Sequence, residues 1–242
     1  MPEIPVAEVR FQDTHRLIPS KFSAPRYGET GTVLSRLADD AATLDALVEL
    51  DGATNDRLLG EEGLLPGIGV HELVFGVRYA HIVNAAFTHA APDGGRFNSS
   101  QRGAWYAGLE RLTSIAEVGY HKQKQLEEID WPHEEVSTCD DYLADFATEF
   151  HDLRGRGGEY EEFLQPVPLP ECYLAGQRLA VDLLTRQSNG IVYPSVRNSG
   201  GTCVVCFRPA LVYHVRRDAR LEFRMRAGGK FLPEQVREVR FE

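Results

Sequence analysis

Long apolar runs are missing from this sequence. No segment approaches the roughly 20 consecutive apolar residues of a helical membrane span, so no membrane partner is expected. The first residues, "MPEIPVAEVRFQD", lack the apolar core of a secretory signal, which predicts a cytoplasmic chain. Cysteine is scarce: Cys139, Cys172, Cys203 and Cys206 are the only four, too few for a disulfide scaffold. Basic residues are outnumbered 26 to 36, leaving a net charge of −10. A phosphate backbone attracts basic surfaces, so general nucleic-acid binding is not expected. A few arginines inside one cleft can still reverse the local field and take a small anion.

Chemical signatures are equally thin. There is no P-loop, no G-x-G-x-x-G after a strand, no H-E-x-x-H among the eight histidines and no G-x-S-x-G. Internal repeats and low-complexity tracts are absent too. Cys203 and Cys206 form a lone C-x-x-C pair within a strand-like run. Positions three apart on a strand point to opposite faces, whereas a metal or redox site needs converging thiolates. No metal is expected.

What is present is an ordinary globular composition, 43% apolar and 26% charged, over 242 residues. That length suits one large domain, or one domain with an extension. Residues 1 to about 30 hold four prolines and little periodicity, and read as an irregular arm over the surface. Leu34, Leu37, Leu44, Leu47 and Val48 recur at helical spacing and predict one or two helices over 33–50. We therefore divide the chain into an N-terminal arm and helical extension, 1–69, and a main domain, 70–242.

Within the second part, "ELVFGVRYAHIV" has strand character and "AWYAG" reads as a short strand. A helix follows from Leu109 to about Gln125, with Leu109, Leu112, Ala116 and Tyr120 on one face, and Pro132 ends the stretch after it. "VSTCDDYLADFATEFHDL" reads as strand turning into helix, because Tyr142, Phe146 and Phe150 are four apart. A Pro-rich connection leads to a helix that stops near Asn189-Gly190. "IVYPS", "TCVVCF", "ALVYHVRR" and "RLEFRM" read as further strands. Helices and strands mix without regular βαβ alternation, which predicts an α+β fold.

Five residues stand out. Arg96 follows Gly94 and Gly95, which permit a tight turn, and Arg78 follows the strand-like "LVFGV". Guanidinium forks pair with phosphate oxygens, although a solvated surface charge is the ordinary role of each. Tyr106 has a ring that could stack on a heterocycle or simply pack in the core. Glu117 lies on the flank of its helix, about 80° from Leu109. Ser195 follows Pro194 at a strand end, where a turn hydroxyl is usual.

Taken together, "GVRY", "GGRFN", "AWYAG", "SIAEVGY" and "GIVYPSVRNSGG" occur in the order of the RES domain family, which the chain resembles over roughly residues 70 to 225. In "AWYAG" the family more often has an aliphatic residue before the tyrosine. An insertion lies around residues 130–165. The resemblance implies an ADP-ribosyltransferase-like fold, a split, curved β-sheet around an NAD cleft. It implies NAD as substrate, cleaved at the nicotinamide–ribose bond by hydrolysis or phosphorolysis, in a toxin paired with an Xre-like antitoxin. It assigns Arg78 and Arg96 to the diphosphate and Tyr106 to the nicotinamide side. Glu117 falls to the developing positive charge, and Ser195 to the ribose or the glutamate. A protein ADP-ribosyltransferase and a non-catalytic interaction module are the alternatives, and the oligomeric state stays open, a homodimer included.

Overall fold

The structure, a computed structural model, describes residues 3–23, 67–155 and 158–240. The helices expected over 33–50 lie outside the described residues. The described elements are, in chain order, β1 (Val6–Pro19), α1 (Ala80–Thr88), β2 (Trp105–Gly108), α2 (Arg111–Glu128) and β3 (Glu135–Asp152). They continue with α3 (Leu174–Thr185), β4 (Gly190–Pro194), β5 (Thr202–Cys206), β6 (Tyr213–Met225) and β7 (Arg237–Val239). The fold is α+β. Among the described residues no helix is long and apolar enough to cross a membrane.

The strands form one seven-stranded mixed sheet in the order β1-β2-β5-β4-β3-β6-β7, with a further β1–β3 pairing. That extra pairing closes a circuit of hydrogen-bonded neighbours, β1-β2-β5-β4-β3 and back to β1. Val6–Pro19, within the segment read as an irregular arm, is therefore a strand, and residues 24–30 of that segment lie outside the described residues. β1 runs antiparallel to β3 from Val6↔His151 to Pro19↔Cys139, with an irregularity between Phe11 and Thr14.

β3 likewise stays a strand throughout. A spacing of four fits the two-residue period of a strand as well as a helical turn, and Tyr142, Phe146 and Phe150 are all fully buried on one face. Asp140 and Asp141 are fully buried as well, a pattern foreign to a strand core unless cations meet it. Arg220 and Arg217 pair with Asp140, and His15 and Arg111 with Asp141.

Two further expectations change. "ELVFGVRYAHIV" is a loop followed by α1. Gly76 (φ +69°) and Tyr79 (φ 59°) take left-handed backbone that ends extended chain, and Ile82, Val83, Ala86 and Phe87 recur at helical spacing and are buried. The Asn84 side chain then ties the loop down, accepting from Val74 N and donating to Val74 O. "ALVYHVRR" and "RLEFRM" join into the single strand β6.

Strand alternation builds two cores on the two faces of the sheet. Trp105, Ala107, Val192, Val204 and Cys206 face one core, with α1. Ile191, Tyr193, Cys203 and Val205 face the other, with Phe97 and with Leu179, Ala180 and Leu183 of α3, and Tyr106 packs against it. Cys203 and Cys206 thus point to opposite faces. α2 covers a third cluster through Ile115 and Leu126. Its buried face runs through Ile115, Ala116, Gly119, Gln123 and Leu126, while Leu112, expected on the inner face, is 40% exposed.

Candidate active site

The N-terminal turn of α2 is fastened on both sides. Ser114 Oγ donates to His15 O of β1 (2.6 Å) and accepts from Gly108 N of β2 (2.9 Å). Thr113 Oγ1 donates to Glu110 Oε2 (2.6 Å) and accepts from Asn198 Nδ2 (2.9 Å) in the turn between β4 and β5. A Cβ on Gly201 would sit 2.3 Å from Thr113 Oγ1, so glycine lets this turn close on the helix.

These ties set Glu117, one turn further on, beside Ser195. Ser195 Oγ donates to Glu117 Oε1 at 2.6 Å. The same oxygen accepts from the backbone N–H groups of Arg197 (3.2 Å) and Asn198 (3.0 Å). The polarity is thereby fixed: two donors point at Oγ, so its own hydrogen goes to the carboxylate, which strengthens that bond. Both residues are half-buried. Cys203 Sγ lies 3.8 Å from the same Oε1. Among the described residues no donor reaches Oε2.

Tyr106 enters from β2. Its hydroxyl donates to Asn98 Oδ1 (2.8 Å) and accepts from Phe97 N (2.9 Å). Asn98 is itself held by Ser99 O and Arg102 O. Gly94 (φ +71°) and Gly95 make this packing feasible, since a Cβ on Gly95 would lie 2.9 Å from the Tyr106 hydroxyl. Burial raises the pKa of Tyr106, Tyr193 and Cys203, and that of Tyr173 to about 12, so each stays protonated near neutrality. Cys203 is a neutral thiol beside a carboxylate, not a nucleophile.

Arg96 is only 7% exposed. Its Nη1 donates to Phe163 O (3.1 Å) and Gln165 O (2.8 Å), and its Cζ lies 5.0 Å from the centre of the Tyr173 ring. Arg96 is thus packed against the 163–165 segment rather than standing in an open cleft. Arg78 is exposed, with its guanidinium 5.1 Å from the Tyr79 ring centre.

Sequence reading missed three side chains here. Tyr173 hydrogen-bonds His121 Nε2 (3.2 Å), one turn beyond Glu117. Desolvation, with the charges of Arg197 and Arg96, lowers the His121 pKa to about 4, although the residue keeps an exposed edge. Arg197 stacks on Tyr120, its Cζ 3.4 Å from the ring centre. Arg197 lies within "VRNSGG", which reads as no more than a polar turn; His121 and Tyr173 carry no local signal. A cavity of about 450 Å³ opens beside these residues, between Tyr120, Lys124 and the 167–169 segment, and Glu117 does not line it. Among the described residues no cluster of three or more His, Cys, Asp or Glu could hold a metal ion.

A model of the RES domain matches residues 71–226. The chain belongs to the RES domain family. The match takes in Arg78, Arg96, Tyr106, Glu117, Ser195 and Arg197. No curated protein matches the chain. Among solved structures, a chain of the crystal structure of the M. tuberculosis MbcT–MbcA toxin–antitoxin complex is similar at 14% identity and a TM-score of 0.40, over 55% of this chain and 73% of that one.

Proposed function

We propose that this RES-family chain is a toxin-like enzyme that cleaves the nicotinamide–ribose bond of NAD and so depletes it. The observation that carries the reading is the Ser195–Glu117 pair. One carboxylate oxygen is held by a hydroxyl whose direction two backbone N–H groups fix, and among the described residues no donor reaches the other oxygen. A carboxylate so arranged suits a reaction in which positive charge grows nearby. In NAD cleavage the bonding electrons leave with nicotinamide, and the ribose becomes oxocarbenium-like. Glu117 stabilises that charge, and the acceptor then bonds to the same carbon. With water the products are nicotinamide, ADP-ribose and a proton; with phosphate, the phosphorylated ADP-ribose replaces ADP-ribose.

In this reading Arg78 and Arg96 bind the diphosphate and Tyr106 walls the nicotinamide side, its ring held by Asn98. Residues 70–242 form the catalytic unit, with β1 completing its sheet. NAD is substrate rather than resident cofactor, and an Xre-like antitoxin is the expected protein partner. The test is NAD consumption by the purified chain, with and without inorganic phosphate. Free nicotinamide is expected, and phosphate dependence selects phosphorolysis. Label from NAD appearing on protein would instead select ADP-ribosyl transfer. Intact NAD after incubation with well-folded protein would reject all three.

Ser195 acts through Glu117 rather than on substrate. Ser195→Ala removes a hydrogen bond to a charged group, and the rate of nicotinamide release should fall about 10-fold or more. The KM for NAD should stay within about twofold, because the substitution alters no diphosphate-binding side chain. A variant whose KM rises while kcat holds would place Ser195 on the substrate instead.

A further inference from the structure

Most of the partly buried arginines in this chain meet carboxylates: Arg102 pairs with Glu72, Arg111 with Asp141, Arg216 with Asp145 and Arg220 with Asp140. Four differ: Arg16, which meets Tyr106 O and the Trp105 ring, Arg208, which meets the Gln187 side chain, and Arg96 and Arg197. Among the described residues no carboxylate forms an ion pair with any of them, and Arg96 and Arg197 share one neighbourhood. A guanidinium withdrawn from water without a counter-ion is costly, so the natural complement of two such groups is an anion.

The two sit at the ends of one path of contacts. Arg96 lies over Tyr173, Tyr173 bonds His121, His121 packs edge-on against Tyr120 (5.6 Å between ring centres), and Tyr120 lies under Arg197. One short stretch of main chain bridges the same ends: Arg96 binds the carbonyls of Phe163 and Gln165, and Arg197 Nη2 binds that of Pro166 at 2.5 Å. The fields of both cations reach His121, Cys172 and Tyr173. Arg197 Nε is buried with no acceptor, and the backbone N–H of Arg197 is one of the donors that orient Ser195.

We propose that Arg197 is a further ligand-binding residue of this site, taking the diphosphate of the substrate together with Arg96. The inference rests on the NAD reading for the identity of the ligand, and on the geometry alone for its charge. Carbonyl oxygens of 163–166 occupy donors that phosphate oxygens can take, since both are hydrogen-bond acceptors and the phosphate also brings charge.

The experiment titrates inorganic pyrophosphate and NAD into wild type, Arg197→Gln and Arg197→Lys by calorimetry. Cleavage of nicotinamide riboside, which has the same scissile bond and no phosphate, is followed alongside. Arg197→Gln should weaken both diphosphate ligands about 10-fold while changing riboside cleavage less than about twofold. Arg197→Lys keeps the charge but not the planar fork on Tyr120, and should fall in between; it carries the test if the Gln variant does not fold. Pyrophosphate that binds wild type and fails to bind the variant supports the inference even where NAD is not cleaved, an outcome that would end only the functional reading. Wild type that ignores pyrophosphate, a variant that binds it equally well, or riboside cleavage that falls as far as NAD cleavage each overturns it.

Discussion

Glu117→Gln is expected to slow nicotinamide release by about 100- to 1,000-fold, the scale on which a transition state suffers when one preorganised electrostatic partner is removed. The substitution keeps the shape of the side chain and removes its charge. Ser195 Oγ can still donate to the amide oxygen, so the β4–β5 turn and the start of α2 should hold. The charge matters most when the ribose is cationic, so NAD affinity measured by calorimetry should stay close to wild type. Glu110 is the control. It is the exposed residue that precedes α2 and accepts from Thr113 Oγ1 and Thr202 N. Glu110→Gln should cost a little stability and almost no activity. A dead Glu110 variant beside a fully active Glu117 variant would mean that the wrong carboxylate has been named.

Local signals made part of this architecture readable. "AWYAG" has the aromatic, alternating character of a strand, and α2 and α3 carry clear helical periods with stops after them. β1 was hidden because its exposed and buried positions do not alternate cleanly, and its partner β3 lies more than a hundred residues away. β3 misled because a spacing of four satisfies both periods. What decides for strand is the set of arginines that neutralise Asp140, Asp141 and Asp145, which come from α2 and β6, with His15 of β1 hydrogen-bonded to Asp141. The site divides in the same way. Glu117 and Ser195 are 78 positions apart, and neither period nor composition links them; only the order of short motifs did. The stacking of Arg197 on Tyr120 has no sequence signature, because it depends on how the β4–β5 turn is pinned to Thr113.

Arg96→Ala should damage both binding and stability, and the two can be measured apart. Losing a charge-assisted bond to a diphosphate weakens binding by about 10- to 150-fold. An arginine in an open cleft could be removed with little effect on the fold. Arg96 is not so placed, because it is 7% exposed and is the donor to Phe163 O and Gln165 O. Removing it strands two carbonyls and uncovers Tyr173, at a cost of about 1–3 kcal/mol. For a chain of this size that lowers Tm by roughly 2–12 °C, at about 2–4 °C per kcal/mol. Arg96→Lys separates the effects: it keeps a positive charge but cannot hold two carbonyls and a phosphate in one plane. It should recover part of the NAD affinity and little of the stability. Thermal melts and NAD titrations on folded protein decide the matter. A folded Arg96→Ala fraction with wild-type NAD affinity would leave this arginine a purely structural tie for the 163–165 segment.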